Sequence, residues 1–417
     1  MSNPLLLLGI GDQAAYSEFS LAQIAAAHPV VLADTTAPAW ARPYLARHLT
    51  VDLSAAATTT AAVEIYAANH ELGGVLTYMG QHLVTAARIA RQLGLRGTPP
   101  EGLAVCANRV AVRRLLAQHK VPLARWAEAR NCEAAASHAD AIGYPVVIMS
   151  SIGNANSGLA RTRSDVLAMF ARLNGQALAE ASHLNQLPGF LVEEQLDGPQ
   201  IAAEVVVMDD GDAQIVAITR TTLGPPPARQ AIRHCVYAHD SLLHNRLLRQ
   251  TVARAVKALG VTFGVLHIEI TLTARGPRIT DVSAHLAGDL IPLLVKRATG
   301  IDLPQVAADL ATRRPPNLAL TRQRAAAVHF AYPTDSGCIE QLTVTAPAYH
   351  PLVDRVVITQ EVGHRVVKTA QASVDDRLAH WVVLGDAAGD CHTALDQMAQ
   401  DLAVEISISA AALDRTA

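Results

Sequence analysis

Through the first hundred positions, short wholly apolar runs alternate with stretches whose apolar residues recur every three or four places. Leu5–Leu8, Val30–Ala33 and Gly74–Tyr78 read as parallel strands covered on both faces, and Leu21–Ala27, Thr60–Ala68 and Leu83–Leu93 read as the helices between them. Together they predict an open α/β unit. Its first turn, Gly9–Asp12, lacks the spacing of a dinucleotide fingerprint and reads as a tight strand-to-helix connection.

The pattern changes at LRGTPPEG, Leu95–Gly102, a cluster of breakers that predicts a boundary. Beyond it the spacing predicts a helix over Asn108–His119, a strand over Ala124–Ala129, a helix ending at Ile142, and a buried strand over Pro145–Ile148. That last strand runs into a loop of small polar residues, Ser150–Gly158. Small residues let backbone N–H groups approach an anion closely, so the loop is a candidate phosphate cover. From Gly189 strands dominate, interrupted by a Pro-rich loop at Gly224–Pro227 and a long helix over Leu242–Leu259. Two apolar strands then flank a turn at Ala274–Pro277. A second breaker cluster, ATRRPPNLA, precedes a smaller, mostly β region with one helix over Thr393–Ala403. The expected domains are 1–100, 101–312 and 313–417.

Composition narrows the chemistry. The 417 residues are 50% hydrophobic and 17% charged with a net charge of -3, a globular balance that argues against a general nucleic-acid surface. Lysines are confined to Lys120, Lys257, Lys296 and Lys368, so phosphate chemistry here must lean on arginine. Five scattered cysteines, an apolar start without a basic flank and the lack of a membrane-length apolar stretch lead to the expectation of a cytoplasmic protein with no membrane partner.

The sharpest local signal is HIEITLTARGPRITDVS. Glu269 and Asp281 stand twelve residues apart on opposite arms of a hairpin, where they can lie near one another on one face with Ser283 two residues further along it. Two carboxylates on an apolar hairpin need a partner. A hard divalent cation is one, and pairing with Arg275 or Arg278 is another; the pattern leaves both open.

The succession ANRVAVRRLLAQHKVPLARW, GYPVVIMSSIGNANSGL, FLVEEQLDGPQIAAEVVV and GVLHIEITLTARGPRITDVSAHLAGDLIPLLVKRATGIDL resembles the ATP-grasp superfamily, and within it the carboxylate-amine ligases that include the L-amino-acid ligases. The resemblance covers nearly the whole chain. It implies a mixed α/β and α+β protein: an ATP-grasp core with an open α/β domain before it and a small β-rich domain after it. It implies ATP and Mg2+ (or Mn2+) as cofactors, a small carboxylic acid and an amine as substrates, and it allows a homodimer.

Carried over by position, the resemblance puts Arg109 where such proteins have a first phosphate-binding lysine and Met149 on the second. Ser150, Ser157 and Gly158 fall in the glycine-rich loop over the phosphates. Glu193, Glu194 and Leu196 fall in the hinge that meets adenine and ribose, with Leu272 also at the nucleotide. Glu269 and Asp281 match the magnesium carboxylates, Ser283 replaces an asparagine ligand, and His285 replaces an arginine that meets phosphate or substrate. Arg109 and His285 are the catalytic candidates; His234, His285, Gly288 and Asp289 are the substrate candidates.

Met149 is the departure of largest effect, since a charged hydrogen bond to phosphate contributes roughly 1.5–3 kcal/mol. Arg161, Arg163, Arg229 and Arg233 are candidates for a substitute cation. Two functions follow from the resemblance: a working ligase that forms an amide through an acyl phosphate, or a binding or partner subunit with little catalysis. The retained carboxylates, hinge and loop favour the first, and Met149 with His285 favours the second. Trp126 and Trp381 read as packing residues, and His239 and His244 as solvated positions.

Overall fold

The computed structural model describes residues 3–151, 157–181, 189–208, 211–224, 230–344, 350–368, 373–399 and 402–407. Four sheets organise them. The first is parallel, in the order Arg47–Thr50, Val30–Asp34, Leu5–Leu8, Gly74–Leu76. Leu5, Leu6, Leu7 and Leu8 are all fully buried because helices cover both faces of this sheet. The strand Arg47–Thr50 was not foreseen: its residues Arg47, His48 and Thr50 are polar, as an edge strand tolerates.

The second sheet is antiparallel, in the order Trp126–Ala129, Phe190–Glu194, Val146–Ser150, Gly158–Ala160. Val146, Ile148, Phe190 and Val192 point from one face into a core under the helices Cys132–Ile142 and Arg163–Ala181. Residues of the opposite parity, including Val147, Met149, Leu191 and Glu193, therefore share the other face.

The third sheet has eight strands, in the order Gly276–Ser283, Gly264–Thr273, Gln200–Val207, Ala213–Leu223, Ala231–Tyr237, Ala325–Ala331, Ala379–Gly385, Val353–Ile358. It runs unbroken past the breaker cluster near residue 315, so the later β region extends the same sheet. A three-stranded sheet of Arg365–Val366, Gly337–Val344 and Leu402–Ser407 completes the set.

Local chemistry sets the helix ends. Asn108, Asn131 and Asn245 each accept a backbone N–H from the first turn of the helix they precede, and Gly260 ends the helix Arg246–Leu259 in the left-handed conformation. One helix was not foreseen and another is corrected. Within Leu95–Gly102, Pro100 opens a helix, Pro100–Cys106, because proline at the first helical position lacks only an N–H that would be unpaired anyway. The last helix is Ala388–Met398 instead of Thr393–Ala403; Leu402–Ser407 is a strand paired with Gly337–Val344. Among the described residues no helix is long and apolar enough to cross a membrane.

Candidate active site

The hairpin Gly264–Thr273/Gly276–Ser283 pairs Glu269 with Asp281 and His267 with Ser283. A bulge produces this register. From the turn outward the pairing is Thr273 with Gly276 and Ile270 with Ile279, which would set Glu269 opposite Thr280; the ladder slips there, leaves Thr280 unpaired and brings Asp281 opposite Glu269. Without the slip the two carboxylates would point to opposite faces.

The same face continues across the sheet. Glu204 pairs with His267, Thr219 with Ala202, and Thr221 with His234, so Asp281, Ser283, Glu269, His267, Glu204, Thr219, Thr221 and His234 form one polar row. Glu204, fully buried, accepts hydrogen bonds from Thr219 Oγ1 (2.8 Å) and His267 Nδ1 (3.0 Å). His267 Nε2 lies 3.8 Å from Glu269 Oε1. Burial opposes a charge on His267, but the flanking carboxylates outweigh it and hold its pKa well above the ordinary histidine value.

Arginines meet the row from the helix Arg109–Gln118. Arg109 donates from Nε to Asp281 Oδ2 (3.3 Å), from Nη1 to the Ser150 carbonyl (3.2 Å) and from its backbone N–H to the Ser151 carbonyl (2.8 Å). Arg113, one turn on, is fully buried. It donates from Nε and Nη2 to the two oxygens of Glu193 and from Nη2 to the carbonyl of Thr280, the residue the bulge leaves unpaired. Burial would raise the Asp281 carboxyl, but Arg109 and then Arg113 outweigh it and hold it below the ordinary carboxylate range.

The other predicted positions fall as follows. Met149, part-buried, lies on the sheet face that carries Glu193. Ser150 is fully buried and Ser157 part-buried; residues 152–156 of the glycine-rich loop lie outside the described residues. At Gly158 an added Cβ would come within 2.2 Å of Met169 Sδ, so packing against the helix explains that glycine. Glu193 is committed to Arg113. Glu194 takes the backbone N–H and Nε of Arg125 (2.9 and 2.8 Å), its own N–H donates to the Arg125 carbonyl, and the Leu196 carbonyl accepts the Gln195 side chain. The Leu272 N–H donates to the Pro199 carbonyl.

His285 does not take over the charge of an arginine. Burial lowers its pKa, so the ring is neutral at neutral pH, and Nδ1 donates to the Leu286 carbonyl at 2.8 Å. Its Nε2 faces Gly80 of the N-terminal region. His234 is buried, bonded to Thr221 Oγ1 (3.1 Å) and to Asp289 Oδ2 (3.3 Å). Asp289 also accepts two bonds from Arg377 (2.6 and 3.0 Å), and Arg377 in turn donates to Tyr332 and lies 3.8 Å over the Phe330 ring. Asp289 and Leu290 both have left-handed backbone (φ 54 and 63), a strained pair that this clamp holds in place, while Gly288 before them is exposed.

Two proposed substitute cations are engaged elsewhere: Arg163 pairs with Glu133 and Asp140, and Arg233 with Asp396. Arg161 is exposed, and Arg229 lies outside the described residues. Sequence reasoning passed over Arg113, Glu204 and His267. A signal for two of them was present: Glu204 is a lone acid in the apolar run QIAAEVVV, and Arg113 follows Arg109 at the four-residue helical spacing.

Residues 142–292 match the family model of the ATP-grasp domain. Among curated proteins, the chain is 26% identical over 345 residues to the protein y4rH of Sinorhizobium fredii, covering 81% of this chain and 69% of that one. It is 23% identical over 270 residues to the carbamoyl phosphate synthase large chain of Acidobacterium capsulatum, covering 62% of this chain and only 24% of that one. Among solved structures, the L-amino acid ligase from Bacillus licheniformis superposes with a TM-score of 0.84 at 17% identity, covering 98% of this chain and 99% of that one.

Proposed function

Given an ATP-grasp domain set in an ATP-grasp fold of mixed α/β content, we propose that the protein is an ATP-dependent, ADP-forming carboxylate-amine ligase that joins amino acids or amino-acid-like acids. The observation that carries this reading is the register slip that sets Glu269 opposite Asp281, with Arg109 against Asp281. The arrangement suits a triphosphate with a divalent ion: two carboxylate groups that face each other across one rung offer hard oxygen ligands, and Arg109 offers a cation beside them.

In the proposed reaction a carboxylate oxygen of the acid attacks the γ-phosphorus of ATP, the bond to the β-γ bridging oxygen breaks, and ADP leaves. The amine nitrogen then attacks the acyl carbon, the carbon–oxygen bond to phosphate breaks, and the nitrogen loses a proton. Glu269 and Asp281, with Ser283 beside them, would hold magnesium, which when bound neutralises phosphate charge. Arg109 is the residue that orients phosphate, exchanging its bond to Asp281 for one to the nucleotide. The chain's own contribution is mostly positioning and electrostatic stabilisation.

A second reading, a nucleotide-binding or partner subunit with little turnover, draws on Met149 and on the neutral state of His285. The two are separated by measuring ADP release with pairs drawn from a panel of amino acids. Release that requires both members of a pair is expected. Nucleotide binding without release from any pair would favour the second reading.

A further inference from the structure

The face that carries the polar row continues past it. Along the strand Gly264–Thr273, residues 269, 267 and 265 point to the same side; Glu269 and His267 belong to the row, and Val265 lines a cavity of about 90 Å³. Ala284 and His285, directly after Ser283, line the same cavity. Its other wall is Val75, Leu83 and Ala87 of the N-terminal region with Leu103 of the helix Pro100–Cys106. Leu83, Ala87 and Leu103 are buried in one cluster against Ala284. Two residues of a strand span about 6.7 Å, so the cavity begins within a side chain's reach of the rung that pairs His267 with Ser283. Three polar groups of the lining are engaged with backbone: Thr77 Oγ1 donates to the Leu8 carbonyl (2.8 Å), Thr98 Oγ1 to the Phe263 carbonyl (2.9 Å), and Arg96 Nη1 to the Leu310 carbonyl (3.2 Å) while its guanidinium lies 4.7 Å from the centre of the Phe263 ring. What the cavity offers an occupant is therefore mainly apolar surface. Its size limits that occupant: an apolar cavity of about 150 Å³ takes one benzene ring and a water-sized group fills about 30 Å³, so this cavity suits three or four carbons and is too small for a ring.

From this continuity we infer that the cavity is the side-chain pocket of the acid substrate, and that the acid is an amino acid with a branched aliphatic side chain of three or four carbons. With its carboxylate near the Glu269–Asp281 pair, such an acid directs its side chain past His267 and Ser283 into the cavity. The N-terminal region then sets specificity, since Val75, Leu83 and Ala87 wall the pocket. The inference deepens the ligase reading above and rests on it.

The test is ADP release by the full chain with hydroxylamine as the common amine and glycine, valine, leucine or phenylalanine as the acid, read as ratios of kcat/KM. A general loss of activity cancels in such ratios, so a merely structural effect does not move them. Valine and leucine should exceed glycine by about tenfold or more, since one methylene in an apolar pocket changes selectivity by about 10–200-fold, and phenylalanine should fall below both. Ala87→Leu fills the cavity and should bring leucine down to the level of glycine, with calorimetric MgADP affinity as in wild type. Leu103→Ala widens the cavity and should raise phenylalanine relative to leucine; it decides the matter if Ala87→Leu does not fold, circular dichroism being the check. A wild-type preference for glycine or phenylalanine, or ratios that stay the same in the folded variants, would overturn the inference and leave the ligase reading in place. Wild-type protein that releases no ADP with any acid would remove that reading and this inference together, an outcome recognised from the wild-type arm alone.

Discussion

The polar row of the eight-stranded sheet ends in two charge clusters, and they differ in how fully their charges are answered. At one end Asp289 accepts two bonds from Arg377 and one from His234, while Arg377 is further fixed by Tyr332 and Phe330. At the other end Glu269 is half exposed with His267 Nε2 3.8 Å away, and Asp281 holds Arg109 at 3.3 Å. The saturated cluster ties the loop after the carboxylate hairpin to the C-terminal region. At the other end the Asp281 and Glu269 carboxylates stay partly open to solvent. The two ends thus differ in the pairing of their charges and not in the completeness of their hydrogen bonding, since Tyr16 Oη, under Arg377, and both ring nitrogens of the neighbouring His380 are buried without a partner among the described residues.

The contrast predicts different losses at the two ends. Arg377→Met removes the charged partner of Asp289 and leaves it the His234 bond, and should lower the free energy of unfolding by about 3–5 kcal/mol, while MgADP affinity of the folded protein stays as in wild type. Urea denaturation and calorimetry read the two quantities. Unchanged stability would show that the junction cluster is not the knot described.

Asp281→Asn and Glu269→Gln should do the reverse. The hairpin keeps its shape and stability, while magnesium-dependent ADP release falls by more than about a hundredfold, since even outer-shell partners of a bound metal are worth 10–100-fold. Turnover at the wild-type rate in either variant would make the pair structural.

A smaller effect sharpens the junction end. His380, fully buried beside Tyr16, has its pKa pushed down to about 3, mainly by burial and then by Arg355 and Arg377. The folded state therefore holds it neutral while the unfolded chain protonates it near its ordinary value. Its contribution is fully present above about pH 6.5 and is lost as pH falls from there toward 3. His380→Phe should flatten this part of the stability–pH curve, measured as urea midpoints at several pH values. Parallel curves for the two proteins would assign the acid loss to other groups.

Much of this organisation is legible along the chain. The wholly apolar runs Leu5–Leu8 and Val30–Ala33 can be satisfied only by a strand covered on both sides, and Asn108 can cap a helix from its own position. The hairpin, too, follows from alternation and a turn. These features rest on interactions between residues near in sequence, or on a periodicity that one segment expresses alone.

The site is different in kind. Whether Glu269 meets Asp281 depends on a slip at Thr280 whose freed carbonyl is held by Arg113, a residue 167 positions earlier. That Glu193, the partner of Arg113, shares a sheet face with Met149 follows from the pairing of Val147 with Glu193, and Asp289 is fixed by Arg377, 88 positions on. Hydrophobic periodicity is a local property and can be read from a single chain. The pairing of buried charges minimises desolvation over the whole assembled interior, so the partner of each charge is decided only when the sheets and helices that carry them have packed.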